Sequence, residues 1–449
     1  MANSYLYKNQ GTATNAKKFT YSVWLKRSAI DTSASQRFYQ GWQSSDNRFY
    51  AYFVEGADSN EDRLWIYAVT GGTVEVYWVS NRRFRDTNAW YHIVFSADST
   101  QASQDDRLKI YVNGVQETSW TKTNNPSQNI DWGNQLAQSS GDLTISGTES
   151  QTQLFEGYMS HVAFVDGQAL APTVFGETDS TSGIWKFKSP SGVTWGNTGY
   201  HLKMENSANL GLDSSGNTNN FTVGGNLKQA VDTPSNVSAT LNPLNSTGNG
   251  TEPTYSIGNL QSVSPSSGGG FVGSSTLGVS SGKYYFEIQR SAGTSSNVYI
   301  GIGDEKQTRE IARQSASAIF IGNAVYYKPD DGNKVIVTNG SGVESSYGAT
   351  YGNGDKIGIA LNMDDNQVTF YKNGASQGVI TIPTPDGACF LNVINGADTS
   401  DTFQVNFGNG YFGTTAISSA GSNGNGSLFE YDVPSGYYAL NTKNINTYG

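Results

Sequence analysis

The sequence predicts an all-β protein made of two antiparallel β-sandwiches joined by an extended connector. Three observations carry this. Apolar residues alternate with a period of two, the spacing that sends successive side chains to opposite faces of a strand. Aromatics reach 12% and there are 52 Gly, beside abundant Ser, Asn and Thr, which is the mixture of short strands and many turns. A strand, an Asn-Gly pair and a return strand recur once in each half, and that pair supplies the positive φ angles of a tight hairpin.

Taken in order, Phe19-Thr-Tyr-Ser-Val-Trp-Leu-Lys26 alternates cleanly. Arg63–Val69 and Val74–Val79 form a hairpin around Gly71-Gly72, and Trp90–Phe95 is a short apolar strand. Arg107–Val112 runs into the turn Asn113-Gly114, and Gln367–Lys372 runs into Asn373-Gly374. Between them, residues 176–250 are turn-rich and polar, yet Trp185, Trp195, Tyr200, Leu202 and Phe221 punctuate them. A floppy linker has no use for such residues, so the connector is expected to be pinned down. Asp304–Ser315 is charged and short, and reads as a loop with at most one helical turn. The organisation is therefore 1–175 first sandwich, 176–250 connector, 251–440 second sandwich and 441–449 C-terminal tail.

Composition removes several classes of function. At 449 residues the chain holds two or three domains of roughly 150 residues each. Charged residues are only 15%, which with the aromatic content excludes a disordered chain. A net charge of −10 and the lack of a basic cluster exclude a duplex nucleic-acid binder; the densest run, Arg82-Arg83-Phe84-Arg85, ends at Asp86. The polar N-terminus carries no secretory signal, and no apolar stretch reaches the ~18 residues of a membrane span. The expectation is a soluble chain made in a cytosol, without membrane insertion. The single Cys389 permits no disulfide and reads as a small buried hydrophobe.

Four pieces of the first half stand in a telling order: Phe19–Lys26, Trp90–Phe95, Leu108–Gly114 and Phe155–Leu170. Together they resemble the laminin-G-like, concanavalin A-like sandwich, a jelly-roll. In the second half Gly282–Ile288, Tyr299–Gly303, Asp355–Asn362, Val368–Gly374 and Val405–Gly408 resemble a SPRY domain, another concanavalin-like sandwich. Gly199–Met204, Leu212–Asn217, Asp232–Asn236, Ala239–Leu244 and the closing Pro434–Asn444 resemble bacteriophage structural and tail-fibre proteins. That resemblance implies a virion component.

No active site is expected. Glycanases on this sandwich place two carboxylates a few residues apart on one strand, to flank the scissile bond. Here the nearest cluster, Glu55, Asp58, Glu61 and Asp62, reads as a loop. His92 and His161 alternate with apolar residues, and with His201 they are the only histidines. Three scattered histidines and one cysteine exclude a zinc cluster. Some laminin-G domains hold calcium at the rim, and Asp98, Asp105, Asp106 and Asp142 are the acids that would serve. Sugars are held by aromatic faces beside amides and carboxylates. The candidates are Trp42, near Asp46 and Asn47, and the loop residues Trp120, Asn124, Asn125, Asp131, Trp132 and Asn134.

These readings converge on a non-enzymatic phage virion protein displayed on the particle surface, binding host surface glycans for attachment. One alternative is an architectural decoration or tail adaptor that binds only other virion subunits. Another is a depolymerase, which the missing carboxylate pair disfavours. Strand-like sequence begins by Tyr5 and no heptads occur, so a globular protein is expected rather than a fibre shaft. Other virion proteins and further copies of the chain are the expected partners, with a trimer by phage analogy. No cofactor is required; rim calcium is the one the laminin-G resemblance admits.

Overall fold

The computed structural model describes residues 4–9, 11–30, 34–54, 61–132, 142–148, 150–245, 252–266, 270–311, 320–396 and 399–449. The chain forms two compact units, Met1–Gln229 and Ala230–Gly449. The division falls inside the span read as a connector. Residues 176–229 fold onto the first sandwich, and the residues after them belong to the second.

The strands of the first unit are β1 (Tyr5–Asn9), β2 (Lys18–Arg27), β3 (Gln36–Ser44), β4 (Asn47–Phe53), β5 (Arg63–Thr70), β6 (Thr73–Arg83), β7 (Tyr91–Asp98) and β8 (Leu108–Val112). They continue as β9 (Val115–Gln116), β10 (Trp120–Asn124), β11 (Asp142–Ile145), β12 (Gly157–Asp166), β13 (Gly176–Thr178), β14 (Trp185–Phe187), β15 (Tyr200–Leu202) and β16 (Thr222–Gly224). One sheet runs β10-β6-β5-β4-β3-β11-β1-β16 and the other β15-β12-β2-β7-β8-β9, with β13 and β14 as a separate hairpin. Alternation does the expected work: Phe19, Tyr21, Val23 and Leu25 of β2 enter the core between the sheets. Asn113 and Gly114 take φ of 50° and 80° at the β8–β9 turn.

The second face of β2 is covered too. Trp185 of β14 donates its indole N–H to His92 Nδ1 at 2.9 Å. The His92 ring stacks on Trp24 at 4.5 Å, and His161 stacks on Phe187 at 3.5 Å. A Cβ at Gly114 or Gly176 would meet the Trp185 ring at 2.5 Å, so glycine is what lets the hairpin lie flat. Farther along, β15 extends the six-stranded sheet through β12 and β16 extends the other through β1. Trp185, Phe187 and Trp195 of the connector therefore cover a sheet, while its Tyr200, Leu202 and Phe221 enter the core, as a pinned segment requires. Within the same unit a buried ion pair joins β2 to the start of β5: Arg27 Nη1 lies 2.9 Å from Asp62 Oδ1 and donates to the Phe84 carbonyl at 2.7 Å.

The second unit contains β17 (Thr254–Ser256), β18 (Gln261–Val263), β19 (Gly270–Ser274), β20 (Lys283–Ala292), β21 (Val298–Asp304), β22 (Ala324–Tyr327), β23 (Asn333–Thr338) and β24 (Ser341–Ser346). After these come β25 (Lys356–Asn362), β26 (Gln367–Lys372), β27 (Ala375–Thr381), β28 (Cys389–Asn395), β29 (Thr402–Asn406), β30 (Tyr411–Phe412), β31 (Thr415–Ala416) and β32 (Tyr438–Ala439). Its sheets run β17-β18-β29-β20-β25-β26-β27, with β32 added parallel to β20, and β19-β28-β21-β22-β23-β24. Phe429, Val433 and Ala439 bury Tyr285 and Ala360 on the outer face of the first of these. The buried Glu287 carboxylate pins that cover by accepting from the backbone N–H of Glu430 (2.9 Å) and Tyr431 (3.0 Å) and from Asn406 Nδ2 (3.1 Å).

Two segments are more helical than the sequence suggests. α1 (Glu305–Ile311) is a helix of seven residues, because buried Asp304 accepts from Gln307 N at 2.8 Å and so satisfies an orphan donor of its first turn. The last residues form α2 (Thr442–Tyr448), capped by Asn441, whose side chain accepts from Asn444 N. Cys389 is buried, and burial pushes its thiol up to about 12.

The buried histidines of the first unit and Glu287 of the second carry opposite pH dependences. Burial holds His92 and His161 down at about 3 and His201 at about 4. Their stabilisation is complete above the unfolded value near 6.5 and is lost as pH falls through that range. Burial raises Glu287 to about 7, so its contribution is complete below the unfolded value of about 4.5 and is lost as pH rises toward 7. Scanning calorimetry from pH 7 to 4.5 is expected to lower the transition of the first unit. Glu287→Gln is expected to remove the acid-side gain from the transition of the second.

Candidate functional site

The outer face of the eight-stranded sheet differs from the covered faces. Strand alternation places Arg48, Tyr50 and Tyr52 of β4, Arg63, Trp65 and Tyr67 of β5, and Tyr77 of β6 on this side, all half-buried. The residues between them, such as Phe49, Ala51, Leu64 and Ile66, fill the core. One row crosses the sheet in register: Tyr7, Thr144, Gln40, Tyr50, Tyr67 and Tyr77. A second passes through Arg37, Tyr52 and Trp65.

The rings form a continuous surface. Trp42 and Tyr50 are parallel within 3° at 6.3 Å, Tyr50 and Tyr67 lie 6.0 Å apart, and Tyr52 and Trp65 stack at 5.4 Å. Trp65 and Tyr67 each meet Tyr77 edge-on, at 4.9 and 6.0 Å. The Arg37 guanidinium lies 3.8 Å from the Tyr50 ring centroid, and Arg48 sits 5.5 to 6.0 Å from Trp42, Tyr50 and Tyr67. Arg37 is oriented by Gln153, whose Oε1 accepts from Nη2 at 2.7 Å. The indole N–H of Trp65 is buried without a protein partner. An array of stacked and edge-on rings, edged with hydroxyl and guanidinium donors, can pack against a ligand's apolar faces and hydrogen-bond its rim.

Of the residues expected to bind sugar, Trp42 lies on this face. Trp120 does not: it packs against Trp78 and the core, and its indole N–H donates to the Glu117 carbonyl at 2.7 Å. Trp132 is corrected outright. It is 1% exposed and edge-on to Phe19 at 5.6 Å inside the core, so its ring offers no face to a ligand. Asp131 is exposed beside it, Asn124 pairs with Tyr77 at the end of the ring-bearing row, and Asn134 lies outside the described residues. The sequence reading passed over Tyr50, Tyr52, Trp65, Tyr67 and Tyr77. Their signal is legible afterwards: in these strands both phases of the alternation are apolar or aromatic, where an exposed face carries Thr, Ser or Lys.

The remaining candidates take structural roles. In His92, Nδ1 accepts from Trp185, so Nε2 bears the proton and donates to Ser22 Oγ at 2.8 Å. That tautomer cannot deprotonate Ser22, and both residues are buried. Asp62 is held by Arg27 and Arg85, while Glu55 and Asp58 lie outside the described residues. The rim acids do not gather around a cation. Asp98 accepts from Thr100, Gln101 and Lys18, while Asp105 and Asp106 pair with Lys122 and Lys109. Among the described residues no group of three or more potential ligands converges on a metal position.

Two sandwiches of this topology define a tandem of concanavalin-type domains. Residues 2–175 match the family Laminin_G_3, of the concanavalin A-like lectin/glucanases superfamily, and residues 283–410 match the SPRY domain. The first unit thus carries a laminin-G-type domain and the second a SPRY domain. Over 100 residues, 22% of this chain, the sequence is 34% identical to a Ran-binding proteins 9/10 homolog of Drosophila melanogaster, of whose length the match spans 10%. Similar solved structures include the SPRY domain of human HERC1 (14% identity, 37% of this chain and 96% of that one, TM-score 0.29). Another is the heptameric SAP-like pentraxin of Limulus polyphemus (14%, 49% and 88%, TM-score 0.30).

Because Trp132 is core, Trp132→Ala is expected to destabilise the first unit by about 3–5 kcal/mol. The check is chemical denaturation followed by tryptophan fluorescence.

Proposed function

We propose that the chain is a non-enzymatic binding protein displayed on the surface of a bacteriophage particle, and that it holds host surface glycans on the open face of the first sandwich. The observation that carries the glycan reading is the array of half-exposed rings across β3 to β6, crossed by arginines. Pyranose rings present apolar C–H faces and a polar edge, which such an array matches. The virion setting rests on the likeness of residues 199–244 and 434–444 to phage structural proteins. Within that setting, further copies of the chain, as a trimer, and other virion proteins are the partners.

Hydrolysis is a poor fit to the same face. Among the described residues, the acids whose strand positions fall on it are Glu75 and Asp142. They stand on β6 and β11, four strands apart, so about 19 Å separates them at ~4.8 Å per strand. Cleavage of a glycosidic bond uses carboxylates roughly 5 to 9.5 Å apart. Glu75 also accepts from Ser127 N at 2.8 Å.

The test is binding of the purified chain to host cells and to host surface polysaccharide. Tyr50→Ala and Tyr67→Ala are each expected to weaken binding about tenfold, with unchanged thermal unfolding. Wild-type binding by the double variant would remove this face from the reading. A folded wild-type chain that binds neither cells nor polysaccharide would favour an architectural role.

A further inference from the structure

Arginines elsewhere in the described residues have their charge or their donors engaged. Arg27, Arg82, Arg85, Arg290 and Arg309 face carboxylates, and Arg107 donates to three backbone carbonyls. Two on the open face differ. Arg48 makes a 3.5 Å contact to the Tyr67 hydroxyl and faces three rings, with no carboxylate of the described residues within ion-pair distance. Among the described residues Arg63 likewise has no acidic partner, and its Nε is buried without an acceptor. In a chain of net charge −10, uncompensated cations are not the default.

Their placement is ordered. Arg48 stands opposite Val69 of β5, and Arg63 begins that same strand, so about 20 Å separates the two at ~3.4 Å per residue. Between them lie Tyr50 with Tyr67 and then Tyr52 with Trp65. The face therefore reads, along the strands, as cation, two ring pairs, cation. The acids on it sit to the side: Asp142 is opposite Trp42 on β11, and Glu75 is tied to Ser127.

We infer that the ligand is a linear acidic polysaccharide, lying along β4 and β5 with sugar faces on the rings and anionic groups on Arg48 and Arg63. This rests on the glycan reading above and narrows it to a chemical class. A neutral glycan would leave two partly desolvated guanidinium groups without counter-charge, whereas a carboxylate or sulfate supplies paired acceptors in the plane of the guanidinium fork. The distance between the cations selects an extended chain over a terminal sugar.

The experiment compares dextran with dextran sulfate, which share a backbone and differ in charge, and adds alginate oligomers of graded length. The full chain is used, with Arg48→Gln and Arg63→Gln, and with Arg309→Gln, an exposed arginine of the second unit, as a charge-matched control. The expected result is binding of dextran sulfate and alginate over dextran, weakening as salt is raised to 0.5 M and increasing with oligomer length. Arg48→Gln and Arg63→Gln should each weaken it about tenfold, and Arg309→Gln should leave it unchanged. Three results would overturn the inference: dextran bound as tightly as dextran sulfate, acidic binding equal in all three variants, or a uronate dimer bound as tightly as a long oligomer. Binding of dextran that is lost in Tyr50→Ala would preserve the glycan reading while overturning its acidic form. Binding of none of the polymers by a folded chain that still binds host polysaccharide would overturn the acidic form alone, and failure to bind host polysaccharide as well would overturn both.

Discussion

A sandwich buries one face of each sheet against the other and leaves two faces to be dealt with. Much of this chain beyond its strands answers that constraint. In the first unit Trp185 and Phe187 lie over His92 and His161, closing the outer face of the six-stranded sheet. In the second, the strand-poor segment after β29 closes the face of β20 and β25 through Phe429 and Val433. The outer face of the six-stranded sheet there gathers Tyr299, Tyr326, Val335 and Val337 with Phe320 and Ile321 of the preceding loop. Against these three, the ring-bearing face of the first sandwich is left half-exposed by the described residues.

Covering a sheet with irregular chain requires pins, because such chain has few hydrogen bonds of its own to fix it. The pins here are polar groups placed where burial makes them specific. Trp185 reaches His92 from above while Ser22 meets the same ring from below, so a single neutral imidazole registers the hairpin on the sheet. Glu287 does the corresponding work in the second unit with two backbone amides of the cover. Buried ionisable groups bring a desolvation cost that apolar residues would not. That cost is the origin of the shifted titrations of His92 and Glu287.

The fold was largely legible because it depends on local text: alternation for strands, Asn113-Gly114 and Asn373-Gly374 for hairpins, and two recognisable sandwich patterns. The covers were half legible. Trp185 and Trp195 announced that the connector was pinned, but not that residues 176–229 of it belong to one unit. The helix α1 escaped because its determinant, Asp304, also holds Asn323 and Asp386, contacts far away in sequence. The binding face was the least legible. Trp132 and Tyr50 are equally aromatic in the sequence, and only the pairing of β3 to β6 separates a core ring from a displayed one.

A broad aromatic face invites self-association. The arginines bear on this. If two copies met face to face about a two-fold axis, Arg48 and Arg63 would approach the other copy's cations across a dehydrated contact, with no carboxylate of their own to relieve them. The rings attract, and the uncompensated charge makes that attraction conditional on a partner of opposite sign. The features that keep the face from closing on itself are thus the ones that would select what it holds. Arg48 and Arg63 are set apart in this by lacking, among the described residues, the carboxylates that Arg27, Arg82, Arg85, Arg290 and Arg309 face.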